Sequence, residues 1–354
     1  MHTLASGKVP RGQGASGPAS AAALREPLLP TVTRCAGRSV TKESADRRES
    51  AAPTRTRDCT RPSVTRRWLI RSDAVGTNDG SLFPGDKLSP ADAAIFETFV
   101  VPRYLALFGE LALEMLFSGD AARIIHVGCR TGYPDSKLYE RVDQAEIVGI
   151  DPSLPALELA RNKAASRRDA DIEYRIWEDG LSQFEAEQFT HALSLHPIGS
   201  AEQRVQLFSE IHRLLCPGGQ SIVALPLRGS FQEISDLLRE YALKVDDSDF
   251  SKAVEFALAT RPSIESISEE LESAGFEDVD VEIRQTSLPF DSGRAFVEDP
   301  VTRLQIVPEL QSWLGDRDLR KPLEYVRDAI DKYWSEGKLE LSLNIGCASA
   351  RRPA

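Results

Sequence analysis

Cysteine is scarce in this sequence, with five in 354 residues at positions 35, 59, 129, 216 and 347. None stands in a Cys-x-x-Cys pair, which excludes zinc-ribbon and thioredoxin-type motifs, and no metal site is expected. An odd count at such spacing fits no disulfide framework, so the chain reads as one kept in a reducing compartment, with a cytoplasmic location expected. Long apolar runs are missing too: nothing approaches the ~18–20 residues of a membrane helix. The richest stretch, Phe99 to Phe117, is broken at helical spacing by Arg103, Glu110 and Glu114, which predicts an amphipathic helix. No internal repeat is visible.

Positive charge is short everywhere except at the start. Residues 1–72 hold 14 Lys/Arg against 5 Asp/Glu, whereas the remainder holds 29 against 49 and so carries −20. An acidic body of that size argues against a nucleic-acid backbone as partner, since that needs a clustered basic surface. The composition of 41% hydrophobic and 27% charged residues is that of a globular domain.

Residues 1–78, rich in Ala, Arg, Ser, Thr, Gly and Pro, show no hydrophobic period and are expected to form a disordered tail. Five acids between Glu26 and Asp58 count against an organelle transit peptide. An N-terminal helical segment is expected over 79–118, its first N-cap at Ser89 followed by Pro90. From 119 to 290, strand and helix patterns alternate, which predicts an α/β core on a mostly parallel sheet. Strands are expected at Arg123–Val127, Glu146–Ile150, Ile172–Trp177, Thr190–Leu195, Ser221–Leu227 and Val279–Leu288. Residues 291–337 read as a helical, irregular insertion, and 338–354 as a last strand, Glu340–Ile345, with a tail.

The chemistry is concentrated in two short runs. Ile124-Ile-His-Val-Gly-Cys-Arg-Thr-Gly132 is an apolar strand ending in a glycine turn, and about a helix later Ile147-Val-Gly-Ile-Asp151 ends a second strand in an acid. That βαβ arrangement cradles a nucleoside: glycine admits close backbone approach, and an acid accepts from ribose hydroxyls. With the Leu214-Leu-Cys-Pro-Gly-Gly219 turn before the fifth strand, the pattern resembles class I S-adenosylmethionine (SAM) methyltransferases of the ubiquinone-biosynthesis type, the "type 11" group. The resemblance covers 120–228 well and 229–350 in outline.

It implies a Rossmann-like sheet of seven strands with helices on both faces, the last strand antiparallel and inserted between the fifth and sixth. It also implies a helical lid at 291–337, whose Trp and Tyr residues read as that lid's own small core. The cofactor implied is SAM and the substrate a small molecule, free or carrier-linked. Residue by residue, Gly128, Cys129 and Gly132 match the glycine motif, Asp151 with Pro152 the ribose acid, and Asp179 with Gly180 the acid near the adenine amine. Ser194 and Leu195 would line the reactive end. His196 would face the substrate, either as general base or as a satisfied structural histidine. Asp151 has an alternative role as a helix N-cap.

Two positions depart from the motif. His126 stands where the family has the acid that helps anchor the methionine amino group, and Arg130 stands where it has the middle glycine. The departures leave two readings: a working methyltransferase, in which Arg130 turns outward or meets the cofactor carboxylate, and a catalytically silent relative acting as a binding or regulatory partner. A nicotinamide-dependent dehydrogenase is disfavoured, because Gly-x-x-x-Gly is not its Gly-x-Gly-x-x-Gly fingerprint.

Overall fold

The computed structural model describes residues 88–117, 122–142, 144–167, 170–177 and 180–354. All of them belong to one compact unit, Arg55–Ala354. The expected tail, residues 1–78, and Asp179 lie outside the described residues.

Order begins at the expected cap: the Ser89 side chain accepts from the Asp92 backbone N–H at 3.1 Å, with Pro90 opening helix α1, Pro90–Ile95. The helical run continues through a π-helical stretch, Phe96–Leu105, into α2, Ala106–Met115. Pro102 has no N–H to give and lies inside the π-helical stretch; the wider winding is one way a helix accommodates a missing donor.

Strand and helix then alternate: β1 (Arg123–Val127), α3 (Asp135–Arg141), β2 (Glu146–Asp151), α4 (Leu154–Ala164), β3 (Asp171–Ile176), β4 (Phe189–Leu195), α5 (Ala201–Leu214) and β5 (Leu215–Pro226). Three helices follow, α6 (Gln232–Lys244), α7 (Ser248–Thr260) and α8 (Ile264–Ser273), then β6 (Glu277–Phe290), the insertion, and β7 (Leu339–Arg351). The insertion holds α9 (Gly293–Glu298), a π-helical turn (Thr302–Ile306), α10 (Val307–Leu314) and α11 (Arg320–Tyr333).

The sheet order is β3-β2-β1-β4-β5-β7-β6, with β7 antiparallel to both its neighbours and the rest parallel. This is the topology the resemblance implied. Strand residues alternate between two cores: Ile124, Leu193 and Ile222 face one, and Ile125, Ala192 and Val223 face the other. Burying both faces under helices is what makes these strands continuous apolar runs. Among the described residues, no helix is long and apolar enough to cross a membrane.

Three expectations need correction. The turn at Cys216–Gly219 is a bulge inside β5, where pairing with β4 jumps from Phe189↔Leu215 to His191↔Gln220 and Gly218 adopts φ +75°. The last two strands are longer than their side-chain pattern suggests. β7 has a partner on each edge, so ladder pairing carries it through the small residues Ala348–Ala350. The insertion has no separate aromatic core: Phe296, Ile306, Leu310, Leu314 and Ile330 join the same cluster as Leu238 of α6 and Leu341 of β7. Tyr333 is half exposed, and Tyr325 packs against Tyr241 of α6, ring centroids 5.7 Å apart.

Candidate cofactor site

The carboxyl ends of β1 and β2 are joined through backbone. Gly128 and Cys129 both donate to the Ile150 carbonyl, at 2.9 and 3.1 Å, which folds the loop 128–132 over β2. Gly128, Arg130 and Gly132 take left-handed φ values of +73°, +51° and +77°. Glycine pays little for that conformation, whereas arginine is strained in it. At Gly132 packing adds to the requirement, since a Cβ there would lie 2.3 Å from the Tyr174 hydroxyl of β3.

Asp151 ends β2 fully buried. Its Oδ2 accepts from the Arg130 backbone N–H at 3.0 Å and its Oδ1 from the Ser153 N–H at 2.8 Å. Burial pushes the carboxyl pKa up, against the opposing pull of the Arg130 guanidinium, these two N–H groups and His126; the net shift is upward. The N-cap of α4 is Ser153, not Asp151. Pro152 is half buried between them. Two of the roughly four lone-pair positions of the carboxylate remain for further donors.

Arg130 neither turns outward nor waits in an open cleft. Its side chain is 5% exposed, and its Nε lies 4.0 Å from Asp151 Oδ2. Lys163 of α4 holds the same loop from behind, donating to the Thr131 carbonyl at 2.8 Å and pairing with Glu97 of the N-terminal helical run at 2.6 Å.

His126 is buried and pairs through Nδ1 with Asp135 Oδ1 at 2.6 Å, while the other Asp135 oxygen accepts from the Tyr174 hydroxyl at 2.8 Å. Cys129 is buried as well; burial first, then Asp151 and Asp135, raise its thiol pKa and keep it protonated, which does not suit a nucleophile. Gly180 follows β3 with φ +62°. The Trp177 N–H that precedes it donates to the Asp151 carbonyl at 3.0 Å.

On the neighbouring strand, Ser194 pairs in register with Val127 and is fully buried. Among the described residues, its hydroxyl and that of Thr131 have no hydrogen-bond partner. Leu195 is buried beside it, and His196 follows with φ +53°. Both ring nitrogens of His196 are engaged: Nδ1 lies 2.9 Å from Gln305 Oε1, and Nε2 lies 3.4 Å from both Tyr104 Oη and Glu309 Oε2. Glu309 is also bound by Arg261, whose Nε donates at 2.9 Å. Burial pushes the Glu309 pKa up, but Arg261 and then His196 outweigh it, and the result is about 2. His191 of β4 is buried, with Nε2 3.0 Å from the Phe117 carbonyl, and burial lowers its pKa to about 4.

The structure thus gathers His126, Gly128, Cys129, Gly132, Asp151 and Pro152 at one edge of the sheet, with Ser194, Leu195 and His196 on the adjacent strand. Asp135, Tyr174, Gln305, Arg261 and Glu309 were missed in the sequence. Each is an ordinary polar residue whose partner lies far away along the chain.

Residues 125–223 match the family model described as "Methyltransferase domain". Over those residues the chain is similar to that family. Among solved structures the chain is similar to phosphoethanolamine N-methyltransferase 2 of Haemonchus contortus, in complex with phosphomonomethylethanolamine and S-adenosylhomocysteine. Identity is 17%, the TM-score is 0.47, and the match covers 75% of this chain and 59% of that one. It is also similar to the YcgJ protein of Bacillus subtilis, at 10% identity and TM-score 0.45, covering 70% and 99% of the two chains. A third likeness is the cyclopropane synthase MmaA2 of Mycobacterium tuberculosis, at 15% identity and TM-score 0.40, covering 70% and 84%. None of the three bears on this chain's substrate. The curated proteins include no match to the chain.

Proposed function

We propose that this chain transfers a methyl group from SAM directly, in line, to a small molecule, free or carrier-linked, in a reducing, cytoplasmic setting. The observation that carries the reading is Asp151. It is fixed by two backbone N–H groups at the carboxyl end of β2, keeps lone pairs for ribose hydroxyls, and lies beside a loop of left-handed glycines. The buried, unpartnered hydroxyls of Thr131 and Ser194 at the ends of β1 and β4 add two groups that a polar ligand would satisfy. In this reading Gly128, Cys129 and Gly132 pass under the cofactor with Gly180 near its base, and Ser194 and Leu195 border its reactive end. Asp179 takes the adenine side. SAM supplies an activated methyl group, so the protein's main task is to hold donor and acceptor in line.

His196 serves as general base only after it parts from Gln305 or Glu309, and an acceptor that needs no deprotonation bypasses it. The acidic body disfavours nucleic acid as acceptor. Arg130 leaves Asp151 when ribose arrives, which weakens affinity without abolishing it. The silent reading is favoured by one observation, the burial of Arg130 against Asp151. Isothermal titration of the full chain with SAM and with S-adenosylhomocysteine separates the two. Micromolar binding of both supports the enzyme; no binding of either supports the silent relative.

A further inference from the structure

The family's acid is missing from position 126, yet a carboxylate reaches that residue by another route. Asp135 opens α3, nine residues on, and is fully buried. A carboxylate only accepts, so the protons in its two short contacts sit on its partners, His126 Nδ1 at 2.6 Å and Tyr174 Oη at 2.8 Å. Burial first, and Asp135 next, hold the Tyr174 hydroxyl pKa far above its usual value, so Tyr174 stays a donor.

With its proton on Nδ1, His126 offers a lone pair at Nε2. Among the described residues that nitrogen has no hydrogen-bond partner, although the side chain is 1% exposed. Asp135 itself has no lysine or arginine in ion-pair contact among the described residues; its basic contact is His126, which in this arrangement is the neutral tautomer with its proton on Nδ1. An acceptor without a donor, backed by a buried carboxylate without a full counter-charge, is arranged to receive a positively charged donor.

Resting on the SAM reading above, we infer that the His126–Asp135 pair replaces the missing acid and binds the ammonium group of the cofactor's amino-acid portion. His126 Nε2 accepts the hydrogen bond, and Asp135 supplies the negative charge from one step behind. Tyr174 keeps the second Asp135 oxygen occupied, so the carboxylate stays turned towards His126. Asp135 is therefore a positioning residue, and His126 the group that touches the ligand.

The test compares two ligands that share the nucleoside: S-adenosylhomocysteine, which has the ammonium group, and 5′-methylthioadenosine, which lacks the amino-acid portion. Isothermal titration of the full chain should show Asp135→Asn weakening S-adenosylhomocysteine at least tenfold while methylthioadenosine changes less than twofold. A merely structural role would weaken both alike, and that result, or no change in either, overturns the proposal. Should Asp135→Asn fold poorly, the double variant H126D with D135N puts the acid back at the strand. It should fold and recover the preference for S-adenosylhomocysteine, and its failure to do so counts equally against the pair. A wild-type chain that binds neither ligand instead overturns the SAM reading itself.

Discussion

Among the described residues three arginines are buried against carboxylates, Arg204 on Glu270 besides Arg261 and Arg130, and the last two are built differently. Arg261 approaches Glu309 with Nε at 2.9 Å, donates to the Ser230 carbonyl at 3.0 Å and lies over the Phe231 ring, 5.0 Å from its centroid. The Arg130 guanidinium comes no nearer to Asp151 than an Nε at 4.0 Å, although the backbone N–H of the same residue donates to that carboxylate at 3.0 Å, and the residue sits on a left-handed backbone. The two acids record the difference. Glu309 is drawn down to about 2 despite its burial, whereas Asp151 stays above its ordinary value despite its arginine. One pair is a tie between the insertion and the residue that ends α7. The other is a loose contact at the place where a ligand is expected. A buried ion pair is hard to break from one side and contributes little unless its geometry is tight, so these two should answer mutation in opposite ways.

The largest effect should come from Glu309→Ala, which leaves Arg261 buried without its carboxylate and His196 without one of its contacts. A loss of about 3–5 kcal/mol is expected, read from urea unfolding. A loss below about 1 kcal/mol would show that this pair is as loose as the other.

Acid should separate the pairs next. The folded pKa of Glu309 lies below its ordinary value, falling from 4.5 to about 2, so its contribution is full above pH 4.5 and fades as pH falls towards 2. That window holds about 3 kcal/mol. Asp151 has the opposite sign: its raised pKa means that the folded protein takes up a proton more readily than the unfolded chain, so this group favours folding as pH falls. Stability measured against pH should therefore lose much of its acid slope in Glu309→Gln. In Asp151→Asn it should be little changed at neutral pH. An unchanged acid limb in Glu309→Gln would break the contrast.

Binding should follow the other pair. Asp151→Ala is expected to weaken SAM by about 1.5–3 kcal/mol, the worth of hydrogen bonds to a charged group, while the unfolding midpoint shifts little. Equal affinity for wild type and variant in isothermal titration would return Asp151 to the loop it braces.

The uneven legibility of the sequence follows from the same geometry. Gly128, Gly132 and Asp151 could be placed because their contacts are made by backbone within a few residues of a strand end, so spacing encodes them, whereas the Pro217-Gly-Gly run that suggests a turn is carried as a bulge inside β5. The parallel strands could be read because both faces are buried and the apolar runs are continuous. Glu309 and Arg261 are 48 residues apart and His196 and Gln305 are 109 apart. Nothing in Val307-Pro-Glu-Leu310 distinguishes a glutamate that faces a buried arginine from one that faces water. Asp135 looked like an ordinary first-turn acid, and only its distance to His126 shows that it compensates a departure nine residues earlier. Arg130 was visible as an anomaly, but not the direction it would take.

The smallest effect on stability, and the sharpest test of the contrast, should come from Arg130→Gly. Glycine removes the strain of φ +51°, worth about 1–2 kcal/mol, and gives up the side-chain contacts of the arginine, among them the approach to Asp151 at 4.0 Å, too long for a hydrogen bond. The two changes oppose each other, so unfolding free energy should move by less than about 1 kcal/mol, against several for Glu309→Ala. Affinity should move further than stability. On the SAM reading the variant loses a positive group that competes for Asp151 and would stand near the sulfonium, and two like charges ~4 Å apart at an effective dielectric of 20 repel by about 4 kcal/mol. Part of that is relieved already in the wild type when the side chain swings away, so a gain of about tenfold in SAM affinity, or ~1.4 kcal/mol, is the expected size. A weaker-binding variant would mean that Arg130 holds the cofactor instead of making way for it. A variant that binds where the wild type does not would mean that the loose pair is a closed door, and that this chain is the silent relative.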